Sequence, residues 1–143
     1  MSDFTRDKTH WLRRLSPNEW ISAALGELSR AEKAWAGGNA RAGVAGVKRA
    51  AGMALNGALL VEPDDTWGRT YVEHVQAVAR DERVPAAVRE ACRTVLEAAP
   101  PAGDVVHLRT PRGHMHVVEA ARDVIAHGFA VVRRHEHHET KGD

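Results

Sequence analysis

The octet RDVIAHGF, residues 122–129, places an arginine five positions before a histidine. Histidine titrates near neutrality and can act as a general base or acid, whereas arginine stays charged and presents a planar fork to phosphate oxygens. Asp123 lies between them and could orient either side chain. Cleavage of RNA without a metal ion needs a base, a proton donor and a cation at the phosphorane, and Arg122, Asp123 and His127 have that chemistry.

The octet also has a plainer interpretation. The spacing Arg-x4-His occurs four times in this chain, and only here does it continue into glycine and an aromatic residue. Five positions along a regular helix separate two side chains by about 140°. Unless the helix starts late or kinks near Gly128, Arg122 is then a solvent-facing residue and His127 a partly buried histidine bonded to a neighbour.

A second cluster of potential ligands lies at the C-terminus. It consists of His135, Glu136, His137, His138 and Glu139. These residue types can bind zinc or nickel, but a polar tail supplies no fixed geometry, so we expect exposed histidines and no metal site. The sequence has no phosphate-binding glycine loop, no Cys-x-x-Cys, no His-Glu-x-x-His and no serine elbow, so no cofactor is predicted.

Five helices are predicted to carry these residues, because apolar side chains recur three and four positions apart between clear start signals. The predicted starts are Ser16 as a cap followed by Pro17, then Asn39, Asp64 or Asp65, Pro85, and Thr110 as a cap followed by Pro111. Helix five is expected to run into the 130s. No segment shows the alternation of a β-strand. The predicted fold is all-α: an antiparallel up-down helical bundle with four core helices and one accessory helix, for which helix four is the candidate.

Helix two contains a strip of small residues: Gly43, Gly46, Ala50 and Gly57. Each glycine weakens a helix by about 1 kcal/mol relative to alanine, so several together need a reason. Close approach of neighbouring helices is the expected reason. Helix two should therefore be the central, most tightly packed element, and the strip is also a candidate surface for dimerisation.

Length and composition indicate one domain in 143 residues. We divide it into a lead-in segment at 1–15, a bundle domain at 16–134 and a polar tail at 135–143. The net charge of +1 indicates no bulk excess for nucleic-acid binding, although a local basic patch remains open. One cysteine excludes an internal disulfide. Neither a signal peptide nor an apolar run long enough for a membrane span is found, so a soluble cytoplasmic protein is expected, and the arginine- and alanine-rich composition is typical of a bacterium.

RDVIAHGF resembles the Arg-polar-x3-His signature of the HEPN superfamily, which in some branches continues into glycine and an aromatic residue. The segment EWISAALGELSRAEKAWAGGNARAGVAGVKRAAGMALNGALL is similar to the leading helical hairpin of that superfamily, and the resemblance covers residues 18–132. It implies a helical bundle that forms homodimers. Many HEPN domains are metal-independent ribonucleases or toxins paired with a nucleotidyltransferase or another antitoxin. Others have lost catalysis and serve as interaction or nucleotide-binding modules.

These observations lead to three functional hypotheses. The leading one is a HEPN-like, non-enzymatic interaction or nucleotide/RNA-binding module. The second is a toxin-like endoribonuclease that uses Arg122, Asp123 and His127. The third is a helical partner protein without a ligand. A homodimer is expected, with RNA, a nucleotide, an antitoxin or a nucleotidyltransferase as candidate partners.

Overall fold

A computed structural model describes Leu12, residues 14–100 and residues 111–142, with the side chains of the last helix described from His114 to Glu136. Its helices are α1 (Pro17–Ala36), α2 (Ala40–Val61), α3 (Tyr71–Arg80), α4 (Ala86–Glu97) and α5 (Pro111–Gly142), with a short 3-10 helix at Asp65–Trp67. The described residues contain no β-strand, so the all-α prediction is confirmed. Trp11, His107, Arg109, the predicted cap Thr110 and the side chains of His137, His138 and Glu139 lie outside the described residues.

The predicted starts of the first two helices are confirmed by their hydrogen bonds. Ser16 Oγ accepts the backbone N–H of Glu19 at 3.1 Å, and Glu19 Oε1 accepts the backbone N–H of Ser16 at 2.8 Å, which completes a capping box. Asn39 Oδ1 accepts the backbone N–H of Ala42 at 3.1 Å and caps α2. Local sequence therefore sets where both helices begin.

The predicted start of helix three is wrong. Asp64 does accept the backbone N–H of Thr66 at 2.9 Å, but the turn it caps is only the 3-10 helix. Gly68 ends that turn with a φ of +76°, a conformation that glycine adopts without strain. A second capping box, between Thr70 and Glu73, then begins α3. Two caps in tandem produce a shorter helix than the apolar spacing alone indicated.

Helix α2 is the centre of the fold, as predicted, and it contacts α1, α3, α4 and α5. Its glycines allow the close approach that the sequence indicated. A Cβ atom on Gly46 would lie 2.8 Å from Ala31 Cβ, and one on Gly57 would lie 2.9 Å from the carbonyl oxygen of Pro17. Both contacts are within one chain, so the strip packs α2 against α1 and is not an exposed dimerisation surface.

The peripheral helices differ from α2 in what they touch. Helix α4 packs mainly on α3 and α5, burying Ala91, Cys92 and Val95. Helix α5 runs to Gly142, past the boundary that the sequence suggested between residues 134 and 135. His135 is not a free tail residue, because its imidazole contacts Glu62 at the end of α2. Contacts with the bundle thus continue into the predicted tail.

By length and composition, α2 would be long and apolar enough to cross a membrane, with a mean hydropathy of 1.2 over 18 residues. Arg41, Lys48 and Arg49 interrupt the apolar residues of this helix, so it contains no unbroken apolar run of that length. In the structure, 67% of that window is buried against other parts of the chain. The core helix of a helical bundle has the same properties.

Candidate functional site

The octet lies inside an unbroken helix. Helix α5 is continuous from Pro111 to Gly142, and Gly128 lies within it. Gly128 instead allows α5 to approach α2, because a Cβ atom there would lie 2.8 Å from the carbonyl oxygen of Ala54. Arg122 and His127 therefore leave the helix about 140° apart.

Arg122 points toward α1. Its Nη2 donates a hydrogen bond to Glu32 Oε1 at 2.9 Å, and both side chains are largely exposed. An exposed ion pair of this kind contributes about 0–1 kcal/mol to stability. Asp123, the next residue, is also exposed.

His127 is half-buried on a different side of α5. Burial lowers its pKa below the ordinary value of 6.5, and the guanidinium of Arg134 lowers it further, while Glu62 and Asp81 act in the opposite direction. The neutral imidazole is therefore favoured at neutral pH. A neutral histidine can accept a proton, which is the property that a general base requires.

The structure gives His127 neighbours that the sequence analysis missed. Glu62 Oε2 accepts hydrogen bonds from Arg134 Nη2 at 2.9 Å and from His135 Nε2 at 2.8 Å. Burial alone would raise the pKa of Glu62, but these two donors outweigh it and hold the pKa below 4.5. The spacing of seven residues between His127 and Arg134 could have indicated a shared face of α5. Glu62 could not be assigned to that face without knowing how α2 packs on α5.

Two polar contacts hold α5 against α1. Asn18 Nδ2 donates to Glu136 Oε1 near one end, and Arg122 pairs with Glu32 near the other. Sequence numbers rise along α1 as they fall along α5, so the two helices run in opposite directions.

Leu25 and Phe129 lie midway between those contacts, each seven residues from the contact residues on its own helix. They are 50% and 40% exposed, which is unusual for such large apolar side chains. The guanidinium of Arg133 lies 5.7 Å from the centre of the Phe129 ring. We call the exposed surface formed by Leu25, Ala126, Phe129, Ala130 and Arg133 the α1–α5 face.

Other residues with potential chemistry have structural partners. His114 stacks on Trp35, with the ring centres 5.4 Å apart. Cys92 is fully buried, and burial raises the pKa of its thiol to about 12, so it is not a reactive nucleophile. Among the described residues no group of three His, Cys, Asp or Glu side chains is arranged to hold a metal ion.

Comparison of the chain with protein-family models, with curated proteins and with solved structures finds no match. Function is therefore inferred from the chain's own residues.

Proposed function

We propose that this chain is a HEPN-like, non-enzymatic interaction module of the cytoplasm that pairs with a second copy of itself through the α1–α5 face. The observation that carries the proposal is the exposure of Leu25 and Phe129 at the centre of that face. The different directions of Arg122 and His127 support the non-enzymatic part, because one chain does not bring the two side chains to a common point.

The apolar side chains of the face provide the driving force. Completing the burial of Leu25 or Phe129 stabilises a complex by roughly 1–2 kcal/mol per side chain, and a symmetric dimer buries each of them twice. Ala126 and Ala130 lie exposed beside Phe129 on α5 and are small enough to let a second helix approach closely. The exposed part of this face is small, so we expect a dimer that dissociates on dilution.

The charges on α5 are complementary to themselves. Glu119 and Arg133 are exposed and lie seven residues before and after Ala126. If two copies of α5 pair antiparallel across Ala126, Glu119 of each copy lies opposite Arg133 of the other. A two-fold interface uses the same patch on both subunits, so one surface supplies both ion pairs.

Exchanging these charges tests the proposal. In sedimentation equilibrium over a range of concentrations, we expect Glu119→Arg and Arg133→Glu each to weaken the dimer, because like charges then face each other. The double variant should recover much of the wild-type association. Glu97→Arg, an exposed glutamate on α4, is the control and should dimerise like wild type.

Two results would contradict the dimer: a wild-type protein that stays monomeric at every concentration, or a double variant no better than the single ones. The double variant also distinguishes a charge pair between subunits from the loss of the Arg133–Phe129 contact. That contact is absent from both Arg133→Glu and the double variant, so recovered association in the double variant can only come from the charge pair.

A metal-independent ribonuclease is the second candidate function. It is favoured by the lowered pKa of His127, which leaves a neutral imidazole available as a base. Purified wild type and His127→Ala should be incubated with cellular RNA in the presence of a chelator. We expect no cleavage by either protein. Cleavage by wild type alone would replace the non-enzymatic proposal, and a shift of intact RNA on a native gel would make RNA the ligand.

The detailed arrangement of the helices is also a proposal: an antiparallel up-down bundle of four core helices with α4 as the accessory helix. Helix α1 supports this arrangement, because it runs opposite to α5 and opposite to α2. An ion pair between Glu27 of α1 and Arg49 of α2 joins the second pair of helices. Helix α3 is the exception, because its first residue packs on Gly52 in the second half of α2 while Arg83, just beyond its end, pairs with Asp64, just beyond the end of α2. These contacts indicate that α3 runs in the same direction as α2. Residual dipolar couplings that orient α3 relative to α2 would test this, and an antiparallel pair would extend the up-down arrangement to α3.

A further inference from the structure

A cleft of about 610 Å³ opens between the start of α1, the end of α2 and the last described side chains of α5. Its volume is within the range of about 300–1,000 Å³ that small-molecule sites occupy. The floor is apolar and consists of Leu15, Pro17, Leu60, Val61 and Val132, whereas the rim is polar and consists of Ser16, Asn18, His135 and Glu136. The cleft lies at one end of the bundle, beyond the middle of the α1–α5 face.

The described residues that line the cleft include one carboxylate and no lysine or arginine. Glu136 is on its rim, Glu62 contacts rim residue His135, and Glu19 belongs to the first turn of α1. Hydrogen bonds hold the carboxylate of Glu62 in its charged form at neutral pH. Arg134 pairs with Glu62, and neither Arg134 nor Arg14 is among the described residues that line the cleft.

The start of α1 does not reverse this preference. A helix N-terminus attracts anions through its unsatisfied N–H groups. Here Pro17 has no N–H, and the backbone N–H of Glu19 is bonded to Ser16. The carboxylate of Glu19 already provides a negative charge at this end of the helix.

We propose that the cleft binds a small amphipathic ammonium compound, with its apolar body on the floor and its cation at Glu136. A carboxylate offers about four acceptor positions, so an ammonium can join Asn18 as a donor to Glu136. The charge-assisted hydrogen bond selects the cation, and the apolar floor contributes most of the binding free energy. This site is independent of the proposed dimer.

Isothermal titration calorimetry with two matched probes tests the proposal: 4-phenylbutylammonium, and 5-phenylpentanoate as its anionic counterpart. We expect the ammonium to bind with a Kd below about 1 mM. The carboxylate should bind at least about tenfold more weakly, because it meets the same floor but a repelling rim.

Two variants locate the site. Glu136→Gln should weaken ammonium binding by about threefold or more, and Glu97→Gln, at an exposed glutamate on α4 outside the cleft, should leave it unchanged. Leu60→Trp should fill the floor and abolish binding of the ammonium. If circular dichroism shows that Leu60→Trp does not fold, Glu136→Gln still decides. Equal binding of the two probes, no binding of the ammonium, or equal affinities of the two glutamine variants would overturn the proposal.

Discussion

Helix α2 is buried along most of its length, whereas the outer face of α5 meets solvent at Glu119, Arg122, Ala126, Phe129 and Arg133. In α2 the neighbouring atoms limit how large a side chain can be. A Cβ atom on Gly43 would lie 2.5 Å from the Trp35 ring, and one on Gly52 would lie 2.2 Å from Tyr71 Cβ. On the outer face of α5 no such limit exists, so large apolar groups there are not explained by the packing of one chain. Substitutions in α2 are therefore expected to affect folding, and substitutions on the outer face of α5 are expected to affect binding of a partner.

The largest expected effect comes from adding one methyl group to α2. Gly52→Ala should destabilise the protein by about 1–3 kcal/mol, because the new Cβ overlaps Tyr71 and the two helices must separate. The same change at Gly26 of α1, where the nearest atom is the flexible end of Arg30 at 3.7 Å, should stabilise the protein by about 0.5–1 kcal/mol. Urea unfolding of both variants checks the prediction. Two changes of the same sign would contradict it.

A polar residue in the same helix gives the next largest effect. Asn56 is fully buried, and neither polar atom of its side chain has a hydrogen-bond partner among the described residues. Burial raises the pKa of Tyr71, and the nearby Asn56 amide opposes this, but their approach does not meet hydrogen-bond geometry. Asn56→Leu, which keeps the branching and the number of side-chain heavy atoms, should therefore stabilise the protein by about 1 kcal/mol. Asn56→Ala should gain less because it leaves a cavity, and a less stable leucine variant would reveal a partner for the amide.

Removing the aromatic ring from the outer face of α5 should affect folding only modestly. We expect Phe129→Ser to lower the free energy of unfolding by about 1 kcal/mol, since 40% of the residue is already exposed and only the buried part of the ring contributes. The same variant should weaken dimerisation. Val72→Ser on α3, where the valine is 39% exposed, is the matched control and should leave dimerisation unchanged. If both variants dimerise like wild type, the α1–α5 face is not the interface.

The smallest expected effect is the pH dependence of stability due to His127, which lies on α5 and is influenced by Glu62 at the end of α2. Its pKa is lower in the folded protein than the ordinary 6.5, so the unfolded chain binds more protons as the pH falls below 6.5. Stability should therefore decrease with falling pH from that point. His127→Gln should lose less stability than wild type between about one unit above and one unit below pH 6.5, as urea unfolding would measure. His116→Gln, an exposed histidine on α5, is the control, and equal slopes for His127→Gln and wild type would contradict the prediction.

Much of the local structure could be predicted from short segments. The caps at Ser16 and Asn39 act within three residues, so they were readable in the sequence and are confirmed. The start of helix three was mispredicted because two caps, at Asp64 and Thr70, follow each other, and apolar spacing does not say which one begins the long helix. The role of the α2 glycines in close packing was predicted, but their neighbours were not.

The candidate site was less predictable for the same physical reason. Arg122, Asp123 and His127 were recognisable as residue types with suitable chemistry, and their separation around the helix followed from its geometry. Glu32, Glu62 and Arg134 entered only with the structure, because each contact joins residues distant in sequence. His135 was expected to be an exposed tail residue, yet Glu62 binds it.

The sequence by itself determined that this chain forms helices, where most of them begin, and that α2 must accept close neighbours, because caps, turns and apolar periodicity act over a few residues. Only the tertiary structure decided which sides of α5 face α1, α2 and solvent. That choice depends on how whole helices pack, and it brings Arg122 to Glu32 and His127 near Glu62 while leaving Leu25 and Phe129 exposed at the same level of the bundle.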